Sequence, residues 1–584
     1  MVTLASSSIL VIDCQTTGAT PDEGSIVELG FAVVRPDGPT EIESTEIESH
    51  LVALPEGQSL PAITQRLTGI RPTDMARAIA PEAALRRLLE VSRTLEPPGP
   101  AVRAALPGED RRPRPAVIHF ARFELPFLNE LNFRFRSDES FFLEVTCTHE
   151  VAQRLHPELP RRGLRALAGF YGHPLGLSRR SAEHVSATIS VWRGLIKELS
   201  VVGVETWADL KAMLREPRGK TRRAYPMPKS IRLDLPDRPG VYRLARLGGS
   251  VLYVGKATSL RARVNAHFRR QSGQSERTLE MLSQARNVDF VETESALEAA
   301  LLESDEIKRL LPPYNVALVE RDRGIWYSSA DLWSWSRDPS SEFRVGPLPA
   351  PTSVRAIAAV RILLTGHEVS VTLAAAALGV RQAMGPSVDV FSRGFEAFRR
   401  RSLPTRNLSS ILRLAASIEL EEAEAATEES EQGSPFDWTE DKVEAALDRS
   451  LSQAARMLRR SRLLLRLAES TVVFTDVRSR SAPRMLCVEG GRVTQAVPRS
   501  ELVRPPGAER PLRERRVLFD LATYDRMRVL LTELRSIAAL GGEVLLGPTV
   551  PQAVLSHGGE RFLPKPLSQI RAPIAYHAPG GRVP

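Results

Sequence analysis

Apolar positions along this chain change period several times, and each change marks a new element. Ile9-Leu10-Val11-Ile12-Asp13 is a continuous apolar run ending on an acid, and Ser25 to Arg35 is a second run. Runs of this length, separated by a turn at Gly18 and Gly24, read as buried strands. Pro81 to Leu95 spaces its apolar residues at the helical period, and Ala116 to Phe120 reads as a further buried strand entering a helix near Pro126. Between these two, Glu96 to Pro115 is rich in Pro, Arg and Gly and reads as a surface insertion. Strands alternating with helices over residues 1–200 predict an α/β domain.

The pattern then breaks. Arg215, Arg218, Lys220, Arg222, Arg223 and Lys229 stand among Pro217, Gly219, Pro226 and Pro228. Residues 201–234 therefore read as an exposed basic linker, either a solvated hinge or a stretch that touches phosphates. Residues 235–335 return to a short mixed pattern. Two strand-like segments flank Gly248-Gly249, a helix runs from Ser259 to Arg270, and another runs from Ala296 to Leu310 and is stopped by Pro312-Pro313. Residues 336–435 read as helical and end in an acidic, Ala-rich run, Ser417 to Gln432, expected as a solvated helix fading into a linker. In residues 436–584, Trp438 to Leu467 is a long helix with Leu451, Ala454, Leu458 and Leu465 on one stripe. Arg456, Arg459, Arg460 and Arg466 lie roughly opposite, a solvated basic face. Residues 470–495 read as a hairpin turning at Gly490-Gly491 and Leu518 to Leu540 as a helix, an α+β region with no chemical signature of its own.

At 584 residues the chain exceeds one core and holds about four domains at about 150 residues each. Its 79 Lys+Arg against 70 Asp+Glu lean toward a polyanionic partner such as nucleic acid. Cys14, Cys147 and Cys487 lie far apart with no CxxC pair, so neither a zinc site nor a disulfide framework is expected, and a reducing cytosol suits them. No basic segment precedes Ile9 and no apolar run of about 18 residues appears, so neither an export signal nor a membrane span is expected.

The candidate chemistry is concentrated in residues 235–335. Gly240-Val241-Tyr242 and Tyr253-Val254-Gly255 fall on adjacent antiparallel strands, so both tyrosines reach one site. Lys256 follows, and Arg263 and His267 lie one turn apart on the next helix. Glu303 and Asn315 complete the set: a proton acceptor, cationic clamps for a phosphate and a carboxylate for a divalent metal are what phosphodiester cleavage needs. Gly255 is expected to end its strand where a substrate phosphate approaches the backbone. Pro239-Gly240-Val241-Tyr242, Leu252-Tyr253-Val254-Gly255-Lys256-Ala257, Leu301-Leu302-Glu303 and Pro313-Tyr314-Asn315 resemble a GIY-YIG endonuclease domain, within that superfamily the UvrC and Cho type. The resemblance implies Mg²⁺ or Mn²⁺ held by Glu303, a water activated there, and Tyr253 assisting proton removal. It also implies Lys256 and Arg263 stabilising phosphate charge, Tyr242 orienting the site, and Asn315 securing the end of the domain.

The first domain resembles the DnaQ-like DEDDh exonucleases, with an RNase H-like fold. Leu10 to Gly18, Leu67-Thr68-Gly69-Ile70, His119 to Glu124 and Ser181 to Thr188 carry the likeness. That family places four carboxylates and a histidine base around two metal ions. Here Asp13 is kept, Gln15 stands at the Glu position, Glu124 and His184 at the other Asp positions, and Arg179 at the His position. Only Asp13 and Glu124 remain as metal carboxylates, and Arg179 adds positive charge without serving as a base. Glu183 could substitute by a one-residue shift, but points about 100° away.

The sequence thus reads as an α/β multidomain fusion: a degenerate exonuclease fold, a basic linker with Arg218, Lys220, Arg222 and Arg223 as DNA contacts, a GIY-YIG nuclease, and a mainly helical C-terminal region with a small β element. Metal-dependent DNA incision in repair is the expected function, with DNA and damage-recognition repair proteins as partners and the cytoplasmic nucleoid as location. A bifunctional exonuclease plus endonuclease, a non-enzymatic DNA-binding adaptor and a mobile-element or restriction-like enzyme are the alternatives.

Overall fold

The computed structural model describes residues 3–38, 46–97, 112–137, 139–176, 179–217, 223–269, 274–318, 323–352, 354–402, 438–475, 484–498, 519–548 and 565–566. The acidic run 417–432 and Arg218, Lys220 and Arg222 lie outside these residues. The chain packs as two compact units, Met1–Glu292 with Pro312–Asn315, and Thr293–Leu311 with Val316–Pro584. The expected boundaries near 200 and 335 do not separate these units.

The first unit opens with five strands, β1 (Ile9–Thr16), β2 (Ile26–Val34), β3 (Glu48–Leu51), β4 (Arg114–Ile118) and β5 (Leu143–Cys147), in the order β3-β2-β1-β4-β5. β1 to β3 are antiparallel and β4 and β5 run parallel to β1. Its central strand is apolar on both sides because both are covered. Ile9 and Val11 join one core, and Leu10 and Ile12 the other. The helices are α1 (Ala62–Thr68), α2 (Pro81–Ser92), α3 (Ala121–Phe135), α4 (Thr148–Leu155), α5 (Leu164–Phe170), α6 (Ser181–Val201) and α7 (Trp207–Arg215). Phe120 takes φ 66°, which turns β4 straight into α3 and puts Glu124 in its first turn. Buried Glu28 receives the Ser181 N–H at 2.9 Å and the Arg180 guanidinium at 2.6 Å, so a carboxylate caps the start of α6.

The segment expected as an exposed linker is only partly so. Arg223 is exposed, but Met227 is buried and Tyr225 packs edge-on to Phe268 at 5.1 Å, because these two apolar side chains follow the basic run directly. After α8 (Lys229–Leu233), a second sheet forms from β6 (Gly240–Ala245), β7 (Val251–Ala257) and β8 (Asn287–Glu292) in the order β7-β6-β8, all antiparallel. Gly248 and Gly249 turn the hairpin at φ 86° and 83°, a conformation side chains resist. α9 (Leu260–Phe268) and α10 (Glu276–Gln284) lie between β7 and β8 in the chain.

The second unit begins with α11 (Ala296–Leu310), whose Leu297 and Leu301 enter an apolar core with Leu464, Val472, Leu486, Leu531 and Leu546. Residues 336–435 were expected to be helical, yet they open with β10 (Trp335–Ser336) and β11 (Phe343–Leu348), which pair with β9 (Trp326–Ser329). Gly346 permits this, since a Cβ there would lie 2.5 Å from the Tyr327 ring. α12 (Arg355–Leu364), α13 (Val371–Leu378) and α14 (Val388–Ser402) then pack with the long helix α15 (Glu440–Leu467). Leu451, Ala454 and Leu458 are buried, but the buried stripe continues through Ser461 and Leu464, leaving Leu465 half-buried. Arg456, Arg459 and Arg466 are exposed and Arg460 is half-buried. The remaining sheet has the order β14-β13-β12-β15-β16, from β12 (Ser470–Phe474), β13 (Arg484–Glu489), β14 (Arg492–Pro498), β15 (Val544–Pro548) and β16 (Lys565–Pro566). α16 (Leu521–Ala539) covers it.

Fully buried Asp525 on α16 binds Arg323 through both oxygens at 2.6 and 3.1 Å and Lys308 of α11 at 3.0 Å. Arg526 reaches Asp305 at 2.9 Å and Arg484 reaches Glu298 at 2.9 Å, so three ion pairs lock α11 into this unit. Removing the carboxylate would take the counter-charge from the buried Lys308 ammonium and from Arg323 and Arg528 beside it. Asp525→Ala is therefore expected to destabilise the second unit by about 3–5 kcal/mol, and Asp525→Asn by less, measured by urea denaturation.

Candidate nuclease site

The hairpin register sets the tyrosines. Tyr242 lies opposite Gly255 and Leu244 opposite Tyr253, so the two tyrosines are diagonal neighbours with ring centroids 6.1 Å apart. α9 starts at Ser259, whose hydroxyl accepts the Ala262 N–H, and it buries Leu260, Val264 and Phe268. That leaves Arg263 exposed and aims His267 at the tyrosines. The Tyr242 hydroxyl is 2.7 Å from His267 Nε2, and the Tyr253 ring is 5.7 Å from the imidazole. Tyr242 is completely buried, Tyr253 and Lys256 half-buried.

Electrostatics fix the state of the imidazole. Burial first, and the charge of Arg263 second, push His267 down to about 4, so it is neutral near pH 7. The Tyr242 hydroxyl and Nε2 lie within hydrogen-bonding distance, and the tautomer of the neutral ring sets which of them donates. His267 was seen in the sequence as sharing a helix face with Arg263, but nothing there marked it as the partner of Tyr242.

Gly255 does a different job from the one expected. β7 continues past it to Ala257, and a Cβ at Gly255 would lie 2.6 Å from the Tyr242 hydroxyl and 2.7 Å from the Tyr253 ring. The glycine makes room for the tyrosine pair rather than ending the strand. Asn315 is buried and brackets β7: its Oδ1 accepts the Val254 N–H at 3.0 Å and its Nδ2 donates to the Val254 carbonyl at 2.9 Å. Glu303 is half-buried on α11 in the second unit. A carboxylate oxygen donor of this kind fits a hard cation that keeps most of its water and takes further oxygens from a phosphate, as Mg²⁺ does.

The residues expected around Asp13 in the first domain also assemble in part. Asp13 is buried, with Gln15 Nε2 donating to Oδ2 at 2.7 Å and His184 Nδ1 3.0 Å from Oδ1. Glu124 accepts the Cys14 N–H at 2.9 Å, and burial followed by the charge of Asp13 raises its carboxyl well above the usual range. Burial also pushes the Cys14 thiol up and brings His119 down to about 3. Arg179 and Glu183 are both exposed, Arg179 giving its backbone N–H to Leu67 at 3.2 Å. Both Asp13 oxygens are thus engaged by the Gln15 and His184 side chains, a poor donor set for two divalent cations. Among the described residues no group of three or more His, Cys, Asp and Glu side chains is arranged to hold a metal ion, and no helix is long and apolar enough to cross a membrane.

Residues 238–316 match the family of UvrC-like GIY-YIG domains. Among similar proteins, one from Mycobacterium tuberculosis, named as a bifunctional exonuclease/endonuclease, is 28% identical over 385 residues, 64% of this chain and 54% of the relative. UvrABC system protein C of Legionella pneumophila is 38% identical over 130 residues, 21% of each chain. The chain therefore spans about half of the first relative's length and a fifth of the second's. Among solved structures, the GIY-YIG N-terminal endonuclease domain of UvrC from Thermotoga maritima, bound to its catalytic magnesium, is 30% identical. It covers 15% of this chain and 100% of that one, with a TM-score of 0.14.

The depressed His267 has a signed consequence. Its unfolded value is about 6.5, so between there and about 4 the unfolded chain binds the extra proton, and this residue weakens the fold as pH falls through that window. NMR titration is expected to place His267 near 4. Arg263→Gln should raise that value, and His267→Gln should remove its share of the pH dependence of stability.

Proposed function

We propose that residues 235–335 form a metal-dependent DNA endonuclease that makes single-strand incisions in repair, in the manner of UvrC. The observation that carries this is the buried Tyr242–His267 pair beside Tyr253, with Asn315 bracketing the same strand, inside a segment that matches the UvrC-like domain. Mg²⁺ or Mn²⁺, held by Glu303, would supply the positive charge that neutralises the scissile phosphate. Lys256 and Arg263 would clamp the phosphate oxygens and stabilise the charge that develops on them. Tyr253, half-buried and accessible, is the proton acceptor. A phenol titrates near about 10, so it works only beside those cations. Tyr242, shielded from solvent and bonded to neutral His267, holds the hairpin face in place and does not meet the substrate. DNA is the partner, which puts the enzyme at the nucleoid, and damage-recognition repair proteins are the class that would deliver it. Arg223 and the neighbouring basic residues suit the DNA backbone.

The name of the Mycobacterium tuberculosis relative favours a second reading, in which the first domain also degrades DNA ends. The engagement of both Asp13 oxygens weighs against it and favours a DNA-binding or structural role. The deciding assay uses a lesion-bearing duplex with Mg²⁺ or Mn²⁺. Tyr253→Phe, Arg263→Ala and Glu303→Ala are each expected to slow incision on the order of 10²–10⁴-fold, while Asp13→Ala leaves it intact. Undiminished nicking in the first three would refute the endonuclease assignment. End-labelled DNA shortened from its 3′ end in a manner abolished by Asp13→Ala, yet indifferent to Tyr253→Phe, would establish the second reading.

A further inference from the structure

The exonuclease-fold domain and the nuclease-like domain lie within one compact unit, and their contact is built like a core. α5 of the first packs on α10 of the second. Gly169 sits at the crossing, where a Cβ would lie 1.8 Å from Gln284 Oε1. Gln284 is completely buried and its Nε2 donates to the Tyr314 hydroxyl, so its side chain cannot swing aside without losing that bond. Around the crossing, the Arg161 N–H donates to Ser283 Oγ at 3.0 Å and the Arg161 guanidinium pairs with Glu276 at 2.7 Å. The Arg286 guanidinium stacks 3.9 Å from the centre of the Phe170 ring.

From α10 the contacts lead directly to the catalytic strand. The Tyr314 hydroxyl donates to Glu280 Oε1 at 2.6 Å, and Arg165 of α5 stands 3.7 Å from the same oxygen. Arg277 donates to the Pro313 carbonyl at 2.6 Å. The Tyr314 N–H donates to the Leu252 carbonyl at 3.1 Å, and Asn315 brackets Val254, the neighbour of Tyr253. Each link is buried or charged, and no covalent neighbour in the chain replaces it.

We propose that the exonuclease-fold domain is the rear support of the nuclease site: α5 fixes α10, and Glu280 and Gln284 of α10 fix Tyr314-Asn315, which in turn set the position of β7. Glu280 and Tyr314 are positioning residues, since neither touches substrate, and Gly169 is the point where the two domains must meet without a side chain. In this arrangement the surface of the first domain, rather than its cleft, serves the reaction. The link to incision rests on the nuclease reading above, whereas the mechanical coupling does not.

The test uses the full chain and hydrogen exchange of the segment 251–257, a readout independent of cleavage. Alanine is a better helix former than glycine, so Gly169→Ala should spare α5 itself and act only by wedging Gln284. Gly169→Ala and Glu280→Ala are expected to speed exchange in 251–257 by about tenfold or more while the β1 segment keeps its protection. Glu280→Gln, which still accepts from Tyr314, should recover much of it. Incision should lose kcat with KM unchanged. Should both alanine variants fail to fold, Arg161→Ala, which removes one peripheral pair, is measured in the same way and is expected to show the same change in smaller degree. Wild-type protection of 251–257 in the folded variants would overturn the proposal. A wild type that cuts no DNA, with the exchange result as expected, would overturn the nuclease reading and leave the coupling standing.

Discussion

Two hydrogen bonds from one amide, Asn315 to both the N–H and the carbonyl of Val254, hold together a path that the chain itself interrupts. After Glu292 the backbone leaves the first compact unit for α11, returns only for Pro312–Asn315, and leaves again. The four-residue return buries Tyr314 in the domain core, and the buried Asn315 amide saturates both backbone groups of one strand residue beside it. With that clamp in place, β7 has a fixed partner on its outer edge. Tyr253 then has a defined strand under it, and Gly255 leaves room for Tyr242 to reach His267.

Charge placement divides the two nuclease-like constellations. In the hairpin site the titratable groups are arranged so that a neutral imidazole meets a phenol while cations stay toward solvent, a set able to accept a phosphate. In the first domain the inward groups cancel one another. Gln15 and His184 occupy Asp13, and Glu124 spends its oxygen on the Cys14 N–H. The inward polar atoms there satisfy one another, which stabilises the domain.

α11 shows how little the ends of a motif say about where its middle belongs. The helix bounds, Ala296–Leu310, follow from the Ser295 cap and the prolines after Leu311, and both are local signals. That Leu297 and Leu301 join the core of the C-terminal sheet, and that Lys308, Asp305 and Glu298 each find a counter-charge there, is not local at all. Residues 436–584, which carry no chemical signature in the sequence, thereby become the scaffold of the helix that bears Glu303.

By itself the sequence determined what depends on neighbours in the chain: the strand alternation, the Gly248-Gly249 turn, the Pro312-Pro313 stop, and the spacing of Tyr242, Tyr253, Lys256, Arg263, Glu303 and Asn315. Period and turn chemistry act over a few residues, so they survive in a string of letters. Only the tertiary structure decided that His267 is the partner of Tyr242, that Gly255 serves the tyrosines, that Tyr225 and Met227 pack where a hinge was expected, and that Arg179 faces solvent. Each of these turns on which distant segment fills the space beside a residue. Packing complementarity between elements settles that, and a sequence pattern read one element at a time does not contain it.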